Sequence, residues 1–386
     1  MFDAKDIDMD TLRKRAFNLR WAEVPDDVIP LTAADPDLKC SPEIVKAIKN
    51  YVDKQHFSYG PAEGLPEFKE SVSQLYLDQR AVEYSHRQIL PVDSAAFGIH
   101  LVCKTILNPG DEAIIFDPVD FLFKYSILDV GAIPISFEIP VDTCDVDFRE
   151  MEKLVTKKTK LVCLCNPLNP TGKVFTRQEL ETLIVFVKKH NLLILSDEIW
   201  SDIIFAPHNY TSVSSISEEA KSRTYIVDGF SKSYGIAGLR TGIIIAPDQN
   251  KFDELLKVSL HNSTVHGANT IGQIAATAAI QNGNTWLKLF VEHLHRMRAI
   301  VVDEVNSIPQ LQVKPPEGCY VGLIDIRKTG MSSLEFQKFA LEQARVAVVP
   351  GLEKWFGSNA EGYVRISFAT TEEILREAIN RLKLSL

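Results

Sequence analysis

The middle of the chain is punctuated by short, mostly apolar runs. They begin at Glu112 (EAIIF), Leu161 (LVCLC), Leu192 (LLILS), Thr224 (TYIV) and Gly242 (GIIIA). Each is too short for a core helix and carries no polar alternation, so each reads as a strand covered on both faces. That is the signature of a mainly parallel sheet sandwiched by helices. Between two of these runs, Thr176 to His190 has a different period. Thr176 with Glu179 forms a capping-box signature, and Leu180, Leu183, Ile184 and Val187 fall on one helical face. Strand, helix, strand is a βαβ unit, whose hand is nearly always right.

Residues 41–285 therefore read as one large α/β domain. The last hundred residues have another rhythm. Trp286–Val305 and Thr371–Leu384 have helical periodicity, whereas Tyr320–Ile326 and Arg345–Val349 look extended. This predicts a smaller α+β domain over 286–386, joined by the N-terminal segment 1–40. A cleft between two such domains is a common place for a small-molecule site.

Composition narrows the partners. Of 386 residues, 45% are hydrophobic, and 42 Lys and Arg against 51 Asp and Glu leave a formal net charge of −9. That sign disfavours nucleic acid or an anionic membrane as the main partner. The apolar runs are too short to cross a bilayer, and the acidic start MFDAKDIDMD predicts no secretory leader. Cys40, Cys103, Cys144, Cys163, Cys165 and Cys319 form no CxxC pair, so reduced thiols in a cytoplasmic protein are expected. His293 and His295, two apart on a helical pattern, face different directions and offer no metal site. No GxGxxG follows an early strand, which argues against a nicotinamide dehydrogenase, and NPTGK lacks the spacing of a phosphate loop.

Three segments carry chemistry. In DGFSKSYGIAGLRTG (Asp228–Gly242), Lys232 follows a strand among small and polar residues. Glycines there let backbone approach a ligand, and a desolvated lysine becomes a nucleophile toward a carbonyl. In ILSDEIW (Ile194–Trp200), Asp197 ends an apolar strand, the edge at which open α/β sheets bind ligands. A helix cap is the plain alternative for such an Asp. In CNPLNPTGKVF (Cys165–Phe175), two Asn-Pro steps end a strand rigidly and hold an Asn amide in place.

Together with FSYGPAEGLPEF (Phe57–Phe68), NPGDEAIIFDP (Asn108–Pro118), PPEGCYVG (Pro315–Gly322), VAVVPG (Val346–Gly351) and GYVRISFA (Gly362–Ala369), these segments make the chain resemble the class I/II aminotransferases of the fold-type I pyridoxal 5′-phosphate enzymes, nearly end to end. The resemblance implies that Lys232 carries the cofactor as a Schiff base and later moves the substrate α-proton. It implies that Asp197 pairs with the pyridine nitrogen, that Asn169 bonds the ring O3′, and that Ser231 and Arg240 hold the phosphate. The opening of a helical pattern at Ser94, Ala95 and Ala96 would add its amides. Tyr59 resembles a tyrosine that reaches the neighbouring subunit's phosphate, which implies a homodimer with shared sites. Arg365 would clamp the substrate carboxylate, beside Ala34.

Four positions depart from the family pattern. Trp200 stands where the family usually has Tyr. Asp120 takes the place of the aromatic that stacks on the ring, leaving Phe121 next door as the candidate. Gly229 replaces a phosphate-binding Ser, and Ser94-Ala95 replaces Gly-Ala. In addition, NLRW (Asn18–Trp21), LTAADPDL (Leu31–Leu38) and HFSYGP (His56–Pro61) are similar to cystathionine β-lyase-like C–S lyases of the same superfamily. The expected reaction is transfer of an amino group from an α-amino acid to a 2-oxo acid. β-Elimination is the alternative, and a non-enzymatic pyridoxal phosphate-binding regulator is disfavoured because no room is left for a DNA-binding module.

Overall fold

The computed structural model describes residues 2–15 and 18–386; Met1, Ala16 and Phe17 of the N-terminal segment lie outside the described residues. In chain order the strands are β1 (Ile29–Pro30), β2 (Ile89–Val92), β3 (Glu112–Asp117), β4 (Ile133–Glu138), β5 (Thr159–Cys165), β6 (Leu193–Asp197), β7 (Thr224–Gly229), β8 (Gly242–Ile245), β9 (Gln312–Val313), β10 (Val321–Asp325), β11 (Val346–Ala347), β12 (Val349–Pro350) and β13 (Tyr363–Ser367).

Seven of them form the central sheet in the order β2-β8-β7-β6-β5-β3-β4. The pairs from β7 to β4 are parallel, and the buried apolar runs β3, β5, β6 and β7 form the covered middle of that array. GIIIA runs the other way: β8 is antiparallel to both β7 and β2. The short link from β7 to β8 is filled by the Lys232 segment and has no room for a crossover helix, so the chain must turn back. The capping box forms as expected, with the Thr176 hydroxyl and the Glu179 carboxylate exchanging bonds with each other's backbone at the start of helix Arg177–Lys189.

Beyond Gly283, helices Asn284–Asn306 and Glu372–Ser385 pack around a four-stranded antiparallel sheet, β12-β13-β10-β9. The extended run Arg345–Val349 splits: β11 pairs in parallel with β1, while β12 pairs with β13. The N-terminal segment is thereby stitched to the C-terminal part, and the Ser367 N–H also donates to the Leu31 carbonyl at 2.8 Å.

Candidate active site

The strand ends set the stage. Asp197 is the last residue of β6 and lies in register with Cys165, the last of β5. Next along the sheet, β7 delivers the short helix Ser231–Tyr234, which carries Lys232. The strand ends of β5, β6 and β7 thus converge on one cavity of about 250 Å³. Its wall includes Ala34, Ser94, Ala95, Ala96, Asn169, Asp197, Trp200, Ser231, Lys232, Arg240 and Arg365, all anticipated from sequence.

On one side stands the N-terminus of helix Ala95–Ile106. Ser94 caps it, its hydroxyl accepting the Phe97 N–H at 3.1 Å. The amides of Ala95 and Ala96, in the first turn, have no partner within their helix, and both residues line the cavity. Gly242 fixes that end in place: a Cβ there would meet the Ala95 nitrogen at 2.5 Å, so the β8 backbone lies directly against the helix start. Arg240, at the same end, has φ +51, a left-handed conformation that a non-glycine residue adopts only when its surroundings impose it.

Lys232 is held by the carbonyl of Ala34, to which its Nζ donates at 2.6 Å; the Tyr320 hydroxyl donates to the same carbonyl at 3.1 Å. Burial holds the lysine pKa below its ordinary value, and the Arg365 guanidinium adds to that, while Asp35, Asp120 and Asp197 oppose it. Asp197 is 6% exposed. Burial pushes its carboxyl up to about 7, helped by the neighbouring Asp120 and Glu198, while the Ile199 N–H and Lys232 act against the rise. Lys232 Nζ lies 5.4 Å from the Trp200 ring centre, and that indole packs edge-on against Tyr320 at 4.7 Å.

Arg365 joins three parts of the chain. It projects from β13, donates to the Asn169 side-chain oxygen at 3.1 Å and to the Thr32 carbonyl at 3.1 Å, and keeps a buried Nε without a partner. Asn169 in turn donates from Nδ2 to Asp120 at 2.8 Å. The loop bearing Asn169 turns at Gly172 (φ +75), whose carbonyl accepts the N–H groups of Glu317 and Gly318.

Two anticipated residues stand elsewhere. Phe121 is outside the Lys232 cavity: it caps the helix Leu122–Asp129, and its ring meets Trp355 at 5.3 Å and Tyr125 at 5.9 Å, both edge-on. It faces a neighbouring chamber, and the aromatic residue lining the Lys232 cavity is Trp200. Tyr59 is 88% exposed, with its ring edge against His266, and does not reach the cavity within its own chain. Sequence reasoning did not assign Asp35, Asp93 or Tyr320. Asp35 and Tyr320 sit inside motifs that had been noticed, and Asp93 directly precedes the Ser94 cap.

This chain belongs to the aminotransferase class I and II family, whose sequence profile matches residues 26–382. It is a pyridoxal phosphate-dependent aminotransferase. An aspartate aminotransferase of Pyrococcus abyssi is 32% identical over 364 residues, 92% of this chain and 91% of the relative. Among solved structures, the aromatic aminotransferase of Pyrococcus horikoshii OT3 superposes with a TM-score of 0.87 at 30% identity, covering 94% of this chain and 96% of the other. Cystalysin of Treponema denticola, which contains pyridoxal 5′-phosphate, superposes with a TM-score of 0.92 at 26% identity, covering 100% and 98%. Among the described residues no helix is long and apolar enough to cross a membrane.

Proposed function

We propose that the enzyme transfers the amino group of a neutral or aromatic α-amino acid to a 2-oxo acid, with each residue of the cavity in a distinct role. The observation that carries this reading is the convergence of a buried lysine, a buried aspartate and an incompletely paired arginine on one cavity. The residues fit pyridoxal phosphate: an amine that burial keeps easy to deprotonate, a carboxylate with no cation bonded to it, and free helix amides beside Arg240. When bound, that cofactor supplies an electron-withdrawing ring conjugated to the substrate nitrogen.

This chain's groups do the rest. Asp197 would accept the ring nitrogen's N–H. Ser231, Arg240 and the amides of Ala95 and Ala96 would hold the phosphate. Arg365 offers its fork to the α-carboxylate, with Asn169 fixed beside it and Ala34 at the lip. Lys232, once deprotonated, would take the proton from the substrate Cα and carry it for return to the reacting system. Trp200 narrows the cavity and excludes water, which disfavours a dicarboxylate. Tyr59 serves the phosphate of a second copy, so the working form is a cytoplasmic homodimer with shared sites, in which 41–285 holds the cofactor and 286–386 with 1–40 closes over the substrate.

Mixing the purified enzyme with a panel of amino acids and following the ultraviolet–visible spectrum tests this. Neutral or aromatic amino acids are expected to convert the cofactor to its amine form, with the matching 2-oxo acid released. Steady pyruvate and thiol from cystathionine, without that conversion, would instead mean C–S lysis.

A further inference from the structure

Asp120 is not explained by the roles above. The aromatic ring that the family places here would stack on the cofactor; a carboxylate cannot. Asp120 accepts the Asn169 Nδ2–H at 2.8 Å and the Leu122 N–H at 3.3 Å, both neutral donors. Its nearby cations are Arg365 and Lys232. In the loaded site Arg365 is taken by the substrate carboxylate and Lys232 is neutral. Asp120 then has open acceptor positions and no cation bonded to it, a state that costs free energy unless another donor arrives.

The location says where that donor comes from. Asp120 and Arg365 are the two residues that line both the Lys232 cavity and a neighbouring chamber of about 480 Å³. That chamber is walled by Leu19, Val24, Phe121, Val348, Trp355 and Phe356. The other charged groups in it are Arg20, which is fully buried and paired with Asp37, and Glu23. A side chain that enters the chamber from the carboxylate clamp passes Asp120.

We propose that Asp120 is a specificity-determining residue: it accepts a hydrogen bond from an N–H or O–H on the substrate side chain, whose remainder lies in the apolar chamber, and it repels dicarboxylates. This rests on the aminotransferase reading and names the substrate class within it. Aromatic side chains with a donor, a phenol or an imidazole, satisfy both demands.

The test compares holoenzyme with Asp120→Asn and Asp120→Ala. Asparagine keeps the size of the side chain and an oxygen for the Leu122 N–H, and retained cofactor absorbance reports an intact fold. Calorimetry measures three unreactive probes: hydroxyphenylpropanoate, phenylpropanoate and succinate. Wild type is expected to bind the hydroxylated probe at least about tenfold more tightly than the plain one, and succinate weakest. Asp120→Ala should bring the first ratio close to one, and Asp120→Asn should strengthen succinate by about tenfold. Equal binding of the two aromatic probes by wild type, or succinate unaffected by Asp120→Asn, overturns the proposal. Single-turnover spectra with tyrosine, phenylalanine and aspartate run alongside. If no amino acid converts the cofactor, the transamination reading fails while the binding arm still judges Asp120. If aspartate converts it fastest, Asp120 is not the selector although the enzyme transaminates.

Discussion

An amine attacks a carbonyl only after losing its proton, and burial at Lys232 favours that loss. Among the described residues no other lysine lines the cavity. Lys232→Ala is therefore expected to abolish the visible absorbance of lysine-bound cofactor and all turnover. Borohydride reduction of the native enzyme followed by peptide mapping should mark Lys232 alone, and a label on another lysine contradicts the assignment. Asp197 makes a second residue-scale prediction, through stability. Its folded pKa, about 7, lies above its ordinary 3.8, so the native state keeps a proton that the unfolded chain releases. In the cofactor-free protein, stability is then lost as pH rises from about 4 to about 7. At roughly 1.4 kcal/mol per pKa unit the ceiling on that loss is about 4 kcal/mol. Asp197→Asn should remove it, leaving the cofactor-free variant flatter between pH 5 and pH 8 in denaturant titrations but poor at retaining cofactor. Parallel pH profiles for variant and wild type would count against the buried-carboxylate account. At this scale the sequence was most legible where a motif names a residue, as for Lys232, Asp197 and Arg365. It was least legible for Phe121, because a one-residue offset in a turn decides which cavity a ring enters.

Among the elements, legibility followed burial. The five runs that were apolar on both faces are all strands of the central sheet. The two strands missed are the sheet's margins. Ile133–Glu138 is largely exposed, so it lacks a continuous apolar run, and Ile89–Val92 contains Pro91, tolerated because an edge strand can spare an N–H. The antiparallel sense of β8 was hidden as well, since apolar pattern reports burial and not direction. The turn that carries Asn169 offers an element-scale prediction. A Cβ on Gly172 would stand 2.4 Å from the Pro316 Cβ and 2.8 Å from the Gly318 carbonyl oxygen, at a φ that side chains rarely adopt. Gly172→Ala should cost roughly 2–4 kcal/mol and weaken carboxylate binding by displacing Asn169. Gly238→Ala, with nothing within 4 Å and no positive φ, should lie within about 0.5 kcal/mol of wild type. Comparable losses in both variants, read from chemical denaturation, would mean that the contact at Pro316 has no special weight.

For the molecule as a whole, the order of motifs along the chain disclosed the family, whereas the proposed sharing of the site between two copies rests on Tyr59. Tyr59 stands in solvent in the single chain. Lys232→Ala and Tyr59→Phe, each impaired alone, should regain activity when mixed and allowed to exchange subunits, because half of the hybrid's sites are then intact. Additive, unrecovered rates, or a monomeric mass at micromolar concentration, would contradict sharing. Arg365 has one more consequence. Its two acceptors, the Thr32 carbonyl and the Asn169 amide, lie 333 and 196 residues away along the chain. Contacts this distant close last, since the largest loops must be paid in entropy before they return anything. A refolding chain is thus expected to regain its parallel strands before it can capture a carboxylate, so that affinity for phenylpropanoate appears with the slowest phase and serves as the signal that folding is complete.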